Sequence, residues 1–172
     1  MGANTSALLS EEIEEISRQT NLQQSEVKRL YKRFQQLDRK QSGTLDTRNL
    51  LMVPELAMNP LHPRLVSMFE NVNFQQFVTN IGAFSSGAQP STKIDFTFRL
   101  YDVDEDGFIS SDDLEKILRM LVGDHIDQRT LTDVAVKVIA DADTDGDGRI
   151  SRDEFTTALD VPEVARKLTV TF

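Results

Sequence analysis

Residues 102–113 read DVDEDGFISSDD, which is six carboxylates in twelve positions. Like charges this dense repel one another, and runs of them tend to stay unstructured. Apolar residues at helical spacing flank the stretch on both sides, so a folded setting needs something that offsets the repulsion. A divalent cation does this if oxygens recur at the right places. Asp102, Asp104 and Asp106 stand at positions 1, 3 and 5, Gly107 at 6 and Asp113 at 12. Alternate carboxylates in a tight loop converge on one point, glycine permits the sharp turn, and the residue at 12 closes the shell from the exiting helix.

The same spacing returns in DTDGDGRISRDE, residues 143–154, as Asp143, Asp145, Asp147, Gly148 and Glu154. Position 7 contributes a backbone carbonyl, which assigns Phe108 and Arg149 as further ligands, and position 9 is Ser110 or Ser151. Ile109 and Ile150 at position 8 are the apolar residues that pair between neighbouring loops. These are calcium loops of EF-hands, and two Ca2+ sites are predicted. Glu105 and Asp112 point elsewhere and deepen the negative field. Asp113 is one methylene shorter than the usual glutamate, so bidentate reach is harder. The 102–113 site is therefore expected to be the weaker one, or to tolerate Mg2+, which prefers a tighter octahedral shell.

Two further loops are degenerate. DRKQSGTLDTRN, residues 38–49, keeps Asp38, Ser42, Gly43 and Leu45 but has Lys40 at position 3 and Asn49 at 12. A cation among the ligands and a neutral residue in place of the bidentate carboxylate predict little metal affinity. In FENVNFQQF, residues 69–77, only Glu70 and Asn71 precede Val72 at the pairing position. Leu45 and Val72 are expected to form a short β-bridge, so structure is kept where the chemistry is gone.

Periodicity is helical almost throughout. Stripes run through Val27, Leu30, Tyr31, Phe34 and Leu37; Phe74, Phe77, Val78, Ile81 and Phe84; Ile94, Phe98 and Tyr101; Leu114, Ile117, Leu118 and Leu121; and Leu131, Val134, Val138 and Ile139. Most such residues form core, although a sensor helix pair uses part of a stripe as a groove for a partner. SSGAQPST, residues 85–92, lacks periodicity and reads as a linker. The expected fold is all-α, with four EF-hand helix–loop–helix units in two lobes and short β-bridges between paired loops. Its parts are an N-terminal segment and helix (1–20), a degenerate N-terminal lobe (21–84), the linker (85–92), a calcium-binding C-terminal lobe (93–160) and a tail (161–172).

Hydrophobic content of 39% and charged content of 27% exclude wholesale disorder. A net charge of −9 opposes nucleic-acid binding, which needs a basic face, and suits a cation or a basic partner. The chain has no cysteine, so disulfides and thiolate metal sites are excluded. It shows no apolar run of membrane-spanning length and no signal-peptide pattern. No nucleophile–base constellation or phosphate loop is present, and the two histidines, His62 and His125, are far apart. The chain is read as a binding protein and not an enzyme. A plain calcium buffer is an alternative, but it accounts poorly for two degenerate loops and abundant Phe.

RLYKRFQQLD, VPELAMNPL, FTFRLYDVDEDGFIS, ILRMLVG and DADTDGDGRIS stand in the order seen in the calcineurin B family, and the resemblance covers nearly the whole chain. The family comprises calcineurin B and the calcineurin B homologous proteins. The resemblance implies a non-catalytic regulatory subunit that grips an amphipathic partner helix in a hydrophobic groove. It also places the C-terminal ARKLTVTF near that groove. LLSEEIEEISRQT and KLTVTF are more similar to the homologous proteins, which bind cytoplasmic tails of sodium/proton exchangers. Overall length and the short 85–92 linker favour the phosphatase subunit, so the expected partner is the calcineurin catalytic chain, with an exchanger tail as the alternative.

The opening MGANTS fits M-G-x-x-x-[ST] and marks Gly2 for myristoylation once Met1 is removed; the resemblance implies the same. One acyl chain binds membranes only marginally without a basic patch. Residues 1–17 carry no Lys or Arg, while Glu11, Glu12, Glu14 and Glu15 are acidic. Weak membrane association is therefore expected, for a cytoplasmic protein held peripherally through its partner and the acyl chain.

Overall fold

Apolar residues three and four apart build most of the chain into helices. The computed structural model describes residues 10–50, 59–83 and 89–158. In the first half these are α1 (Ser10–Thr20), α2 (Gln24–Leu37), α3 (Thr47–Leu50), α4 (His62–Phe69) and α5 (Phe74–Gly82). In the second they are α6 (Pro90–Tyr101), α7 (Ser111–Val122), α8 (Gln128–Ala142) and α9 (Arg152–Ala158), with a 3-10 turn at Gly123–His125.

The α2 stripe buries Val27, Leu30, Phe34 and Leu37. Its N-terminus is held by a reciprocal cap in which the Gln23 N–H donates to Glu26 Oε2 at 2.8 Å. Ile13 and Ile16 of α1 close over α2 and α5. Edge-to-face rings then run inward: Tyr31 on Phe74 at 4.9 Å, Phe34 on Phe77 at 5.5 Å and Phe69 on Phe77 at 6.1 Å.

α6 serves both halves. Ile94 and Phe98 enter the second core, with Ile109, Leu114, Ala135, Ile139, Ile150 and Phe155. Phe96 and Leu100 enter the first core, where Phe96 faces Phe69 at 6.5 Å. Positions two apart on a helix point to opposite sides, so one short helix is apolar on both faces.

Three expectations need correction. Pro90, Ser91 and Thr92, assigned to the linker, are the first turn of α6, because proline at the first helical position already has the required φ and lacks only an N–H that would go unused. Leu121, Val134 and Val138, placed in core stripes, are 44%, 43% and 42% exposed. Leu131 and Ile139 are buried as expected, and Ala135 takes the place of the two valines on the buried side of α8. In the N-terminal bridge Leu45 faces Val72 as expected, and its N–H donates to the Val72 carbonyl at 3.1 Å. The return bond has slipped by one residue, because the shortened loop offers the Asn71 N–H, at 2.7 Å from the Leu45 carbonyl. The bridge itself joins Thr44 to Asn73. Gly2, Phe84 and the tail 161–172 lie outside the described residues.

Candidate metal centres

Each C-terminal loop starts where a helix runs out. Asp102 caps the C-terminus of α6 and Asp143 that of α8, each donating its N–H to a carbonyl of the last turn, Phe98 at 2.9 Å and Ile139 at 2.8 Å. The chain then turns on Gly107 (φ +90°) and Gly148 (φ +82°), where a β-carbon would be strained. The turn points backbone N–H groups at the first aspartate. Asp106 N and Gly107 N donate to the Asp102 carboxylate at 3.1 and 3.0 Å. Gly146 N and Gly148 N donate to Asp143 at 2.7 and 2.8 Å.

Asp102, Asp104 and Asp106 each place an oxygen within 4.8 Å of the others, and so do Asp143, Asp145 and Asp147. Burial pushes the Asp102 carboxyl up, against the hydrogen bonds from Gly107 and Asp106. Three acidic oxygens this close strongly favour a counter-cation. With no sulfur or imidazole in the set, the chemistry suits a hard divalent ion.

The position-12 residues are held by the serines at position 9. Ser110 Oγ and N–H donate to Asp113 Oδ2 at 2.6 and 3.0 Å. Asp113 is fully buried, and its other oxygen, Oδ1, has no hydrogen-bond partner. A buried carboxylate oxygen without a hydrogen bond is costly, and a metal ion at that place would satisfy it. Lys116 Nζ lies 3.9 Å away. Glu154 differs: Ser151 N–H and Oγ donate to Oε2 at 2.8 Å each, and Thr144 N–H and Oγ donate to Oε1 at 2.7 and 2.9 Å. Those bonds hold the Glu154 carboxyl down to about 2. Sequence spacing has the position-9 residue act on the ion directly or through water; in the structure Ser110 and Ser151 also cap α7 and α9 and orient position 12.

The two loops are joined by Ile109 and Ile150, whose N–H groups donate to each other's carbonyls, both at 2.9 Å. The position-7 residues Phe108 and Arg149, assigned for their carbonyls, also meet through their side chains. The Arg149 guanidinium lies 4.0 Å from the Phe108 ring centre and within 3.6 and 3.7 Å of Asp106 and Asp147.

The 38–49 loop keeps the same backbone course. Position 4 is left-handed in all three loops, at Gln41, Glu105 and Gly146. Asp38 accepts from Ser42 N at 2.9 Å and Gly43 N at 2.7 Å. Lys40 Nζ pairs with Asp46 at 3.4 Å, so the loop carries its own cation. The 70–73 segment between α4 and α5 brings Glu70 to Thr47 Oγ1 at 2.6 Å, tying the two degenerate loops together.

Two helix–loop–helix units back to back, bridged at position 8, make an EF-hand pair, and the family described as EF-hand domain pair matches residues 91–159. The likeness to known proteins extends much further. Calcineurin B of Naegleria gruberi is 41% identical over 175 residues, covering 99% of both chains. The type 2 calcineurin B of Dictyostelium discoideum is 37% identical, covering 92% of this chain and 90% of its own. Calcineurin B of Candida glabrata is 36% identical, covering 100% and 99%. The chain belongs to the calcineurin B family of EF-hand proteins.

Proposed function

We propose that this chain is the calcium-binding, non-catalytic regulatory subunit of a calcineurin-type protein phosphatase, and that it grips an amphipathic helix of the catalytic chain. Calcium would be held by Asp102, Asp104, Asp106, Asp113 and the Phe108 carbonyl, and by Asp143, Asp145, Asp147, Glu154 and the Arg149 carbonyl. Bound there, the ion supplies the positive charge that lets these carboxylates share one loop. The protein's own part is to hold them converged, through glycine turns, serine caps and the isoleucine bridge.

The observation that carries the partner reading is the apolar surface of α7 and α8. Leu121, Val134 and Val138 are each more than 40% exposed in a chain of net charge −9. Aliphatic residues left open at helical spacing, with charged residues beside them, suit the apolar face of a helix that carries basic residues on its other side. The degenerate lobe contributes grip without sensing. Myristoylation at Gly2 belongs to the same proposal, and an intact-mass shift on co-expression with an N-myristoyltransferase would check it.

Mixing the purified chain with a calcineurin catalytic subunit, with calcium or with chelator, tests the assignment. A stoichiometric complex on gel filtration with calcium-dependent phosphatase stimulation is expected. Val134→Asp and Val138→Asp together should abolish the complex while leaving calcium binding intact. No complex in calcium would overturn the reading, and binding to an exchanger tail in its place would move the chain to the homologous branch.

A further inference from the structure

The calcium chemistry sits in the second half of the chain, yet one buried cation from the first half reaches it. Arg64, on α4, is 6% exposed. Its Nη2 donates to the carbonyls of Arg99 at 2.7 Å and Asp102 at 2.8 Å, and Nε donates to that of Leu100 at 3.3 Å. Nη1 reaches Ser67 Oγ at 3.3 Å, and Nη2 lies 3.4 Å from Glu105, a largely exposed residue within the 102–113 loop. These carbonyls belong to the last turn of α6 and the first loop residue. They are the groups a helix C-terminus leaves without an internal partner, at the negative end of its dipole. The planar fork of a guanidinium can address several of them at once, whereas an ammonium cannot.

A second contact runs alongside. Asn80 of α5 donates to the Met68 carbonyl at 3.2 Å and accepts from Arg99 Nη1 at 3.4 Å. Arg99 is thus held at both its carbonyl and its side chain by the first half of the chain. The corresponding loop start at Asp143 shows no such reach among the described residues. Its carboxylate accepts from Gly146 and Gly148 within its own loop.

We infer that Arg64 is a positioning residue through which the degenerate lobe sets the calcium affinity of the 102–113 loop. By fixing the Asp102 carbonyl and the end of α6, it orders the residue that carries the first carboxylate before any ion arrives. The bracket also places a positive charge beside the loop, which by itself opposes cation binding. Positioning and charge therefore predict opposite signs, and this makes the inference decidable. It rests on the reading that the loop binds calcium.

The test titrates calcium into the full chain and its Arg64→Lys and Arg64→Met variants, following the Gly107 and Gly148 amide resonances, which report the two loops separately. Arg64→Lys keeps the charge and loses the fork; Arg64→Met loses both. Positioning predicts that both variants weaken the 102–113 loop by about tenfold or more, the usual effect of losing an outer-shell partner. The 143–154 loop should change far less. Unaltered affinity in Arg64→Lys with higher affinity in Arg64→Met would leave only a charge effect and overturn the inference. Global unfolding of Arg64→Lys would also count against it, since a residue that orders one loop leaves the other helices intact. Should Gly107 not respond to calcium even in the parent chain, the calcium reading of that loop fails. Amide exchange in chelator then still decides on Arg64. Faster exchange at Asp106 and Gly107 in Arg64→Lys supports the bracket, and unchanged exchange refutes it.

Discussion

Replacing Ile109 by alanine should destabilise the C-terminal half more than any substitution on its exposed faces. Ile109 is 1% exposed and belongs to the buried cluster that holds Ile94, Phe98, Leu114 and Phe155, with Ile150 opposite it across the bridge. The change removes three carbons; at roughly 0.8 kcal/mol each, the lost transfer energy is about 2.4 kcal/mol. If the surrounding rings cannot collapse into the space, the loss rises towards about 5 kcal/mol. The backbone bonds between Ile109 and Ile150 do not depend on the side chain, so the loss measures packing alone. Urea unfolding of the chelated protein, followed by far-UV circular dichroism, reads it directly from the midpoint and slope. Val136→Ala, at a position 54% exposed on α8, is the control and should stay within about 0.5 kcal/mol. Because α6 contributes to both cores, the unfolding should remain a single transition. A loss under about 1 kcal/mol for Ile109→Ala, or equality with the control, would refute the idea that the bridge residues anchor this core.

Glu154→Gln should cut calcium affinity at 143–154 sharply; because Glu154 accepts from Ser151 and Thr144, amide exchange at both residues should quicken even in chelator, and unchanged calorimetric affinity would reject the ligand assignment. Calorimetry in millimolar magnesium should find the 102–113 loop the weaker of the two for calcium, and two equal tight sites would contradict the argument from Asp113. Lys40→Asp with Asn49→Glu should create a third calcium site, since the 38–49 loop keeps its left-handed position and its glycine turn; an unaltered stoichiometry would show that its backbone is not competent. Asp127 caps α8, accepting from Thr130 N–H at 3.0 Å, and these bonds hold its carboxyl below the ordinary value of 3.8. A depressed carboxyl stabilises the fold above its unfolded value and loses that contribution as pH falls through the folded one. Asp127→Asn should therefore unfold with a shallower acid dependence below pH 3.8 than the parent, and identical acid titrations would remove Asp127 from the account.

What could be read from the chain alone was whatever repeats over short distances. The aspartates at positions 1, 3 and 5, the glycine at 6 and the isoleucine at 8 lie within one loop, where chain geometry leaves few alternatives. The α2 stripe is equally legible, because its burial follows from a period of 3.6 residues. Lys40 and Asp46, six residues apart, were visible but needed the folded loop to bring ammonium to carboxylate. Periodicity names a helix face without naming its neighbour. It therefore placed Val134 and Val138 in the core beside Leu131 and Ile139, when Ala135 completes the buried side of α8 and the two valines are exposed. It also could not foresee that α6 is apolar on two faces for two cores. Only the tertiary structure places Arg64 against carbonyls 35 to 38 residues away. A hydrogen bond to a distant backbone oxygen depends on no particular side chain at the acceptor, so the sequence carries no pattern from which to find it.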